Sequence, residues 1–303
     1  MLTVGVCTFR RESLAATLAS LAAQTRLPDR VVVADNDDAP SARAACAAAA
    51  GQGLPVAYVH APARNIALAR NACLEAAPDR LAFLDDDETA PPDWLAKMEA
   101  ALVSGLAGVA GPSVAVYPAD APTWMRTLSP HSQHPPAIHG RAQIAHTANC
   151  LLDLTHPALA GLRFDPRFGR SGGEDTDYFQ RAHARGARFA VADAPVFERV
   201  PAERLSEAWL AERRRRAGGT WLASLPKARR RTALAALPKA AWCRAGSALA
   251  PSETARRRAW LRGLFHEGVA AAALGVRPGE HYGGPAGGSP PPTASQTRPD
   301  RSR

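Results

Sequence analysis

The first half of the chain alternates between two kinds of apolar pattern. Short continuous runs at Leu2–Cys7, Arg30–Ala34, Val56–Val59 and Leu81–Leu84 predict strands. Between them, Ser13–Gln24 sets Leu14, Leu18 and Leu21 on one helical face, with Ser13 positioned as an N-cap. Pro40–Ala50 and Ala67–Ala77 predict two further helices. Strands and helices alternating at this spacing predict an α/β fold, a mostly parallel sheet with helices on both faces. Ligands of such sheets bind beyond the carboxyl ends of the strands. Three of the predicted strands end in polar side chains: Thr8, Asp35 with Asn36, and Asp85–Asp87. That coincidence places one crevice there.

After Ala107–Val116 the pattern loosens. Tyr117–His146 is rich in Pro and His and reads as a long loop, a length that often carries function. Thr147–Leu152 predicts a strand, Asp175–Ala184 a helix, and Arg188–Val191 and Val196–Phe197 further strands. From Ala202 to Leu274 helical stretches are interrupted by Gly218–Gly219, Pro226, Pro238 and Pro251, and Pro278–Arg303 has the composition of a disordered tail. The expected organisation is an α/β domain over 1–200, in halves 1–116 and 117–200, then a basic helical segment over 201–277 and a tail over 278–303.

Composition narrows the class. An apolar content of 46% suits a buried core, and the longest apolar runs are too short to cross a bilayer. Met1–Thr8 followed by Arg10 and Arg11 reverses the order of a signal peptide, so a place in the cytoplasm or at its membrane face is expected. Cys7, Cys46, Cys73, Cys150 and Cys243 are odd in number and never paired as CxxC, which predicts buried thiols and no zinc site or disulfide frame. The basicity is local. Pro201–Gly263 holds 15 Arg/Lys against 4 Glu, net +11, while the rest of the chain is net −2.

The strongest local feature is Phe83-Leu84-Asp85-Asp86-Asp87-Glu88. Four carboxylates at a strand end repel one another unless a cation or donor compensates them. In an extended chain Asp85 and Asp87 point one way and Asp86 the other, so one pair can serve a hard metal that bridges a diphosphate. A solvated turn capping the helix near Pro92 would also account for the acids. Gly172-Gly173-Glu174-Asp175-Thr176-Asp177 puts a second acidic cluster at a helix start. The helix dipole explains one such acid well and three less well, and a carboxylate on a Gly-flanked turn suits a catalytic base.

These elements together resemble the family 2 glycosyltransferases, which have the GT-A fold, and among them the bacterial exopolysaccharide enzymes of the succinoglycan type. The resemblance runs from Leu2 to about Pro201 through Thr8-Phe9-Arg10-Arg11, Leu21–Thr25, Val33–Asp37, Ala69-Arg70-Asn71, Phe83–Asp87, Pro92-Asp93-Trp94 and Gly172–Asp177, in order. It implies that Thr8, Phe9, Arg11 and Asp35 surround the base and ribose of a nucleotide-diphosphate sugar, with Arg64 and Arg70 facing the diphosphate. It implies that Asp85 and Asp86 hold the ribose and a metal water, that Asp87 is the direct ligand of Mg2+ or Mn2+, and that Asp175 is the general base oriented by Glu174. Many relatives carry a histidine where this chain has Glu198; that residue can ligate the metal or pair with an arginine. Residues 1–116 would then be the donor and metal half and 117–200 the acceptor half. The implied reaction is direct displacement with inversion onto the hydroxyl of a saccharide acceptor, lipid-linked in cell-surface polysaccharide synthesis.

Two other classes fit parts of the chain. Asp85-x-Asp87-x-Thr89 matches the start of a haloacid-dehalogenase phosphatase, but no lysine lies between Lys97 and Lys227 to complete that site. The arginine runs at 213–216, 229–231 and 256–258 suit a nucleic-acid module. The same segment carries Trp209, Trp221, Trp242 and Trp260, and Trp with Arg on helices points to an anionic membrane surface instead of nucleic acid. A helical subdomain with its tryptophans in the core is the third account. His131, His134, His139 and His146 follow no zinc spacing and read as parts of a solvated loop that can cover the acceptor.

Overall fold

The computed structural model describes residues 1–276 apart from 140, 143–144, 226–232 and 234; the expected tail lies outside the described residues. In chain order the elements are β1 (Leu2–Thr8), α1 (Leu14–Ala22), β2 (Arg30–Asp35), α2 (Arg43–Gly51), β3 (Val56–His60), α3 (Ile66–Ala76), β4 (Arg80–Leu84), β5 (Glu88–Thr89) and α4 (Trp94–Ala101). There follow β6 (Gly108–Ala110), β7 (Ser113–Val116), α5 (Thr123–Leu128), β8 (Ala137–Ile138), β9 (Arg141–Ala142), β10 (Asn149–Asp153) and α6 (Glu174–Ala184). The chain continues through β11 (Phe189–Val191), β12 (Val196–Arg199), α7 (Glu207–Ser224), α8 (Ala236–Leu249) and α9 (Glu253–Ala273).

The main sheet has the order β3-β2-β1-β4-β10-β6-β11-β9-β8. Its first four strands are parallel, as the βα alternation predicts, and every residue of β1 is buried because helices cover both faces. Leu14, Leu18 and Leu21 of α1 pack with Val4, Val6 and Trp94 on one face. Phe83, Phe164, Tyr178 and Phe189 fill the other. β10 then runs antiparallel to β4, pairing Asn149 with Leu84. That register sets the residues before β10 beside the turn after β4. All five cysteines are free and buried.

Two expectations change, and one apolar run left without an element divides. Ser13 makes no side-chain cap, because it already has helical angles and its carbonyl accepts from Ala16 and Thr17. The run Ala107–Val116 divides at Gly111–Pro112 into β6 and β7, which lie in different sheets; β7 joins β12 and β5. A Cβ at Gly111 would meet the Asn149 side chain at 2.4 Å, so only glycine allows the crossing. The long loop is partly ordered: it contains α5 and the β8–β9 hairpin. Trp124 and Met125 of α5 are buried against Leu210 and Leu261, so the C-terminal helices share a core with the α/β part.

Candidate active site

The turn after β4 carries the acidic motif, and internal bonds hold it. Glu88 is 1% exposed and accepts from the Asp85 N–H at 3.2 Å and from the Ser113 hydroxyl. The Thr17 hydroxyl of α1 donates to the carbonyls of Asp86 (3.1 Å) and Glu88 (2.8 Å). Glu88 thus anchors the turn, and its carboxyl is pushed up by burial and by Asp85. The other three acids face a cleft of about 310 Å3.

The alternation expected of an extended chain does not hold there, because the chain turns. Asp85 points to Arg70 (3.7 Å), whereas Asp86 and Asp87 both approach Arg11, each at 3.9 Å. Removal from water, then the charge of Asp87, raises the Asp86 carboxyl to about 7. Asp85 is raised in the same way, first by withdrawal from bulk water inside the cleft, with Arg70 opposing and Asp87 and Asp175 adding to the rise. The cluster therefore carries excess negative charge that a cation would relieve.

Arg204 partly supplies that cation. It lies in the short turn Ala202–Arg204 after β12, and its guanidinium donates to Glu198 and to Asp87 (3.4 Å). Burial and Asp87 raise the Glu198 carboxyl, and Arg204 counters them. The expected metal set of Asp87, Asp85 and Glu198 is consequently not assembled: among the described residues no three His, Cys, Asp or Glu side chains converge on a metal position. The donor chemistry still fits a hard cation, since Mg2+ commonly takes one or two carboxylates and completes its shell with substrate phosphates and water.

The second acidic motif closes the cleft from α6. Gly172 and Gly173 have φ of 83° and 94°, a region side chains disfavour. A Cβ at Gly173 would also lie 2.7 Å from Thr220 of α7. The three acids that follow have separate partners. Glu174 is buried against Arg70, Asp177 bonds Arg181 at 2.8 Å, and Asp175 reaches His146 Nδ1 at 3.3 Å. Burial would raise Asp175, but the hydrogen bond and charge of His146, then Arg70 and the Thr176 N–H, lower it to about 2.

Of the residues singled out in the sequence, Arg11, Arg70, Asp85, Asp86, Asp87, Asp175 and Glu198 line this one cleft. Arg70 does so with only 7% of its side chain exposed, so it is a strut between Asp85 and Glu174 and not an open phosphate fork. Glu174 lies beneath the cleft. Thr8 is buried at the end of β1, where its hydroxyl faces the Asp86 carboxyl and helps to hold it down, and Phe9 lies half-buried under Arg10. Asp35 does not reach the cleft; its carboxylate accepts from Asp37 N–H, the Ser41 hydroxyl, Ala42 N–H and the Tyr58 hydroxyl. Arg64 pairs with Asp38 beside that turn.

Three groups of lining residues escaped the sequence reading. His146, expected in a solvated loop, stands beside Asp175; the antiparallel pairing of β10 with β4 that brings it there is seen only in the fold. Arg204, six positions after Glu198, is the arginine that pairs with it. Trp209, Arg213, Arg216 and Thr220 bring one face of α7 into the cleft. The other loop histidines do not gather. His131 is buried, takes the Tyr117 hydroxyl on Nδ1 (2.8 Å), donates from Nε2 to the Arg204 carbonyl (3.0 Å), and is lowered to about 4 chiefly by burial. His134 and His139 are exposed.

Comparison with known proteins agrees with this geometry. The sequence model described as glycosyl transferase family 2 matches residues 3–166. The succinoglycan biosynthesis protein ExoM of Rhizobium meliloti is 43% identical over 298 residues, covering 92% of this chain and 95% of that protein. A mannosyltransferase from Pyrobaculum calidifontis, solved with GDP-Man and Mn2+, shares the fold with a TM-score of 0.60 at 18% identity, over 89% of this chain and 86% of that one. The phosphatase and nucleic-acid alternatives are set aside by these matches. An acidic turn at a strand end facing a second acidic motif at the start of α6 thus has its explanation in descent: the chain belongs to glycosyl transferase family 2 and is a glycosyltransferase with the GT-A fold.

Proposed function

We propose that the chain is an inverting hexosyltransferase that uses Mg2+ or Mn2+ to move a sugar from a nucleotide-diphosphate sugar to a hydroxyl of a lipid-linked saccharide. Its place would be the cytoplasmic face of the inner membrane, during assembly of a cell-surface polysaccharide. The observation that carries the reading is the opposition of Asp85–Asp87 and Asp175 across one cleft at the strand ends. The relative named for succinoglycan biosynthesis supports a saccharide acceptor. Among the described residues no helix is long and apolar enough to cross a membrane.

Asp87 would be the direct metal ligand, with Asp85 beside it and Glu198 joining once Arg204 turns from the carboxylates toward the diphosphate. When bound, the metal would supply positive charge against the departing diphosphate. Arg11, Arg213 and Arg216 add fixed positive charge around the same space. Thr8 would set Asp86 from below the nucleoside, while Asp35 and Arg64 shape the neighbouring turns and Phe9 supports Arg10 from the side. Asp175 takes the acceptor proton, with the Arg70–Glu174 pair holding the start of α6 in position.

The His146 contact favours a second assignment of the proton. His146 stands within reach of Asp175 and can take the proton instead, with Asp175 orienting its ring. A substitution separates the two: with Asp175 as base, His146→Asn keeps most of the turnover, whereas with His146 as base it loses about 10²–10⁴-fold. The proposal as a whole is tested with a panel of nucleotide-sugars. One of them should raise the melting temperature and be transferred or hydrolysed only with Mg2+ or Mn2+. Equal stabilisation and turnover in excess chelator would overturn the metal role.

A further inference from the structure

The basic C-terminal segment is not uniform once folded. α9 lies between α7 and α8: a Cβ at Gly218 of α7 would strike the Phe265 carbonyl at 2.1 Å, and Gly263 of α9 sits against Cys243 of α8. Three of the segment's tryptophans are half-buried within these contacts. Trp209 stacks on His131, Trp221 meets Phe265, and Trp260 meets Trp124. The α7 arginines serve the fold and the cleft. Arg213 lies over Trp209, Arg214 bonds the Pro130 carbonyl, Arg215 pairs with Glu267 and Arg216 with Glu212. The membrane role that composition suggested for the whole segment therefore falls to a smaller part.

That part is α8. Its inner side, Ala236, Ala240 and Cys243, is buried. Its outer side carries Leu237 (53% exposed), Trp242 (81%) and Leu249 (83%), with Ala241, Ala245 and Ala248 between them. At about 100° per residue these six fall within one arc of about 140°. A soluble helix spends polar residues on such a face; this one has none. Lys239 borders the arc on one side and Arg244 on the other. Arg256, Arg258 and Arg262 are exposed on the neighbouring α9. In sequence, Lys227, Arg229, Arg230 and Arg231 come just before α8, and the stretch from Arg213 to Ser252 has ten basic residues and no acidic one.

We propose that the outer face of α8 seats this chain on an anionic phospholipid bilayer, with Leu237, Trp242 and Leu249 entering the boundary between headgroups and acyl chains. An apolar arc edged by cations, with a tryptophan at its rim, matches that boundary in both polarity and charge. A nucleic acid would use the cations but leave the apolar arc wet. A second copy would cover the arc only by bringing two like-charged rims together. The inference deepens the reading that the acceptor is lipid-linked, because α8 would hold the cleft at the surface where such an acceptor resides.

The experiment is sedimentation of the full chain with vesicles of phosphatidylglycerol and phosphatidylcholine, and with phosphatidylcholine alone. Binding is expected only to the anionic vesicles, weakening as salt shortens the screening length below about 8 Å. Trp242→Ser with Leu249→Ser, both at exposed positions, should weaken binding at least tenfold, as loss of two buried apolar side chains implies. Trp242→Phe should keep binding but lose most of the fluorescence quenching produced by brominated lipid. Absence of vesicle binding, or equal binding by the double variant, overturns the proposal. So does lipid-free self-association that the double variant abolishes, which would make a second copy the occupant. Transfer to a short water-soluble acceptor should be unchanged in the double variant. If α8 docks but only soluble acceptors are used, the lipid-linked reading fails and the docking surface stands.

Discussion

Arg70→Met tests the link between the two acidic motifs. Arg70 and Glu174 form an ion pair with side chains 7% and 3% exposed, and the second Glu174 oxygen is already buried without a partner among the described residues. Methionine keeps most of the Arg70 stem and removes its charge, so Glu174 is left as an uncompensated buried carboxylate. Breaking a buried pair from one side costs about 3–5 kcal/mol. The Asp85 contact adds little, roughly 1 kcal/mol or less, because at 3.7 Å its carboxylate is 41% exposed and screened. Against a total stability of about 5–15 kcal/mol, the loss is large and should lower the melting temperature by about 6–20 °C.

Urea denaturation of the metal-free chain measures the loss, provided the slope with denaturant is unchanged. Arg70→Met combined with Glu174→Met is the control, since removing both charges from a buried site is often nearly neutral. The double variant should recover most of the stability yet stay inactive, because Asp85 and the start of α6 would no longer share a fixed point. A single variant within about 1 kcal/mol of the parent, or a double variant no better than the single, would refute the strut.

Asp87→Ala should abolish metal-supported binding of nucleoside diphosphates in calorimetry, while apo stability holds or rises because one of the crowded charges is gone. Arg204→Gln should strengthen binding of Mn2+ alone, by freeing Asp87 and Glu198, and lower turnover; weaker or unchanged Mn2+ binding would contradict the guanidinium as the resident cation. Asp86 predicts an unusual pH dependence. Its folded pKa of about 7 lies above the unfolded value near 3.8, so the folded state holds the extra proton. Its stabilisation is present below about pH 4 and is lost as pH rises through 7, on the order of 2–4 kcal/mol. Asp86→Asn should flatten that slope in thermal melts taken between pH 5 and 8.

The parts of the fold legible in the sequence are those decided by local pattern. β1, β2 and β4 read as strands because burial on both faces leaves continuous apolar runs, and α1 read as a helix because Leu14, Leu18 and Leu21 share one face. α5 was missed because only Trp124 and Met125 mark its buried side, and what buries them, Leu210 and Leu261, arrives much later in the chain. The division of Ala107–Val116 depends on Asn149, whose amide reaches the Pro112 and Ala194 carbonyls from a distant strand. No periodicity within ten residues can report such a contact.

The same distinction governs the site. Asp85–Asp87 and Glu174–Asp177 were conspicuous because like charges in succession demand an explanation wherever they fold. What each carboxylate does depends on a cation the motif does not contain. Asp177 finds Arg181 four residues on, a helical spacing visible in sequence. Asp175 finds His146 at a separation of 29, and Glu174 finds Arg70 at 104. Only the register of β10 on β4 and the packing of α3 beneath the sheet end bring those partners in. Glu174, Asp175 and Asp177 thus become a buried strut, a partner of His146 and one half of a pair within α6, and which is which is decided by where their partners stand.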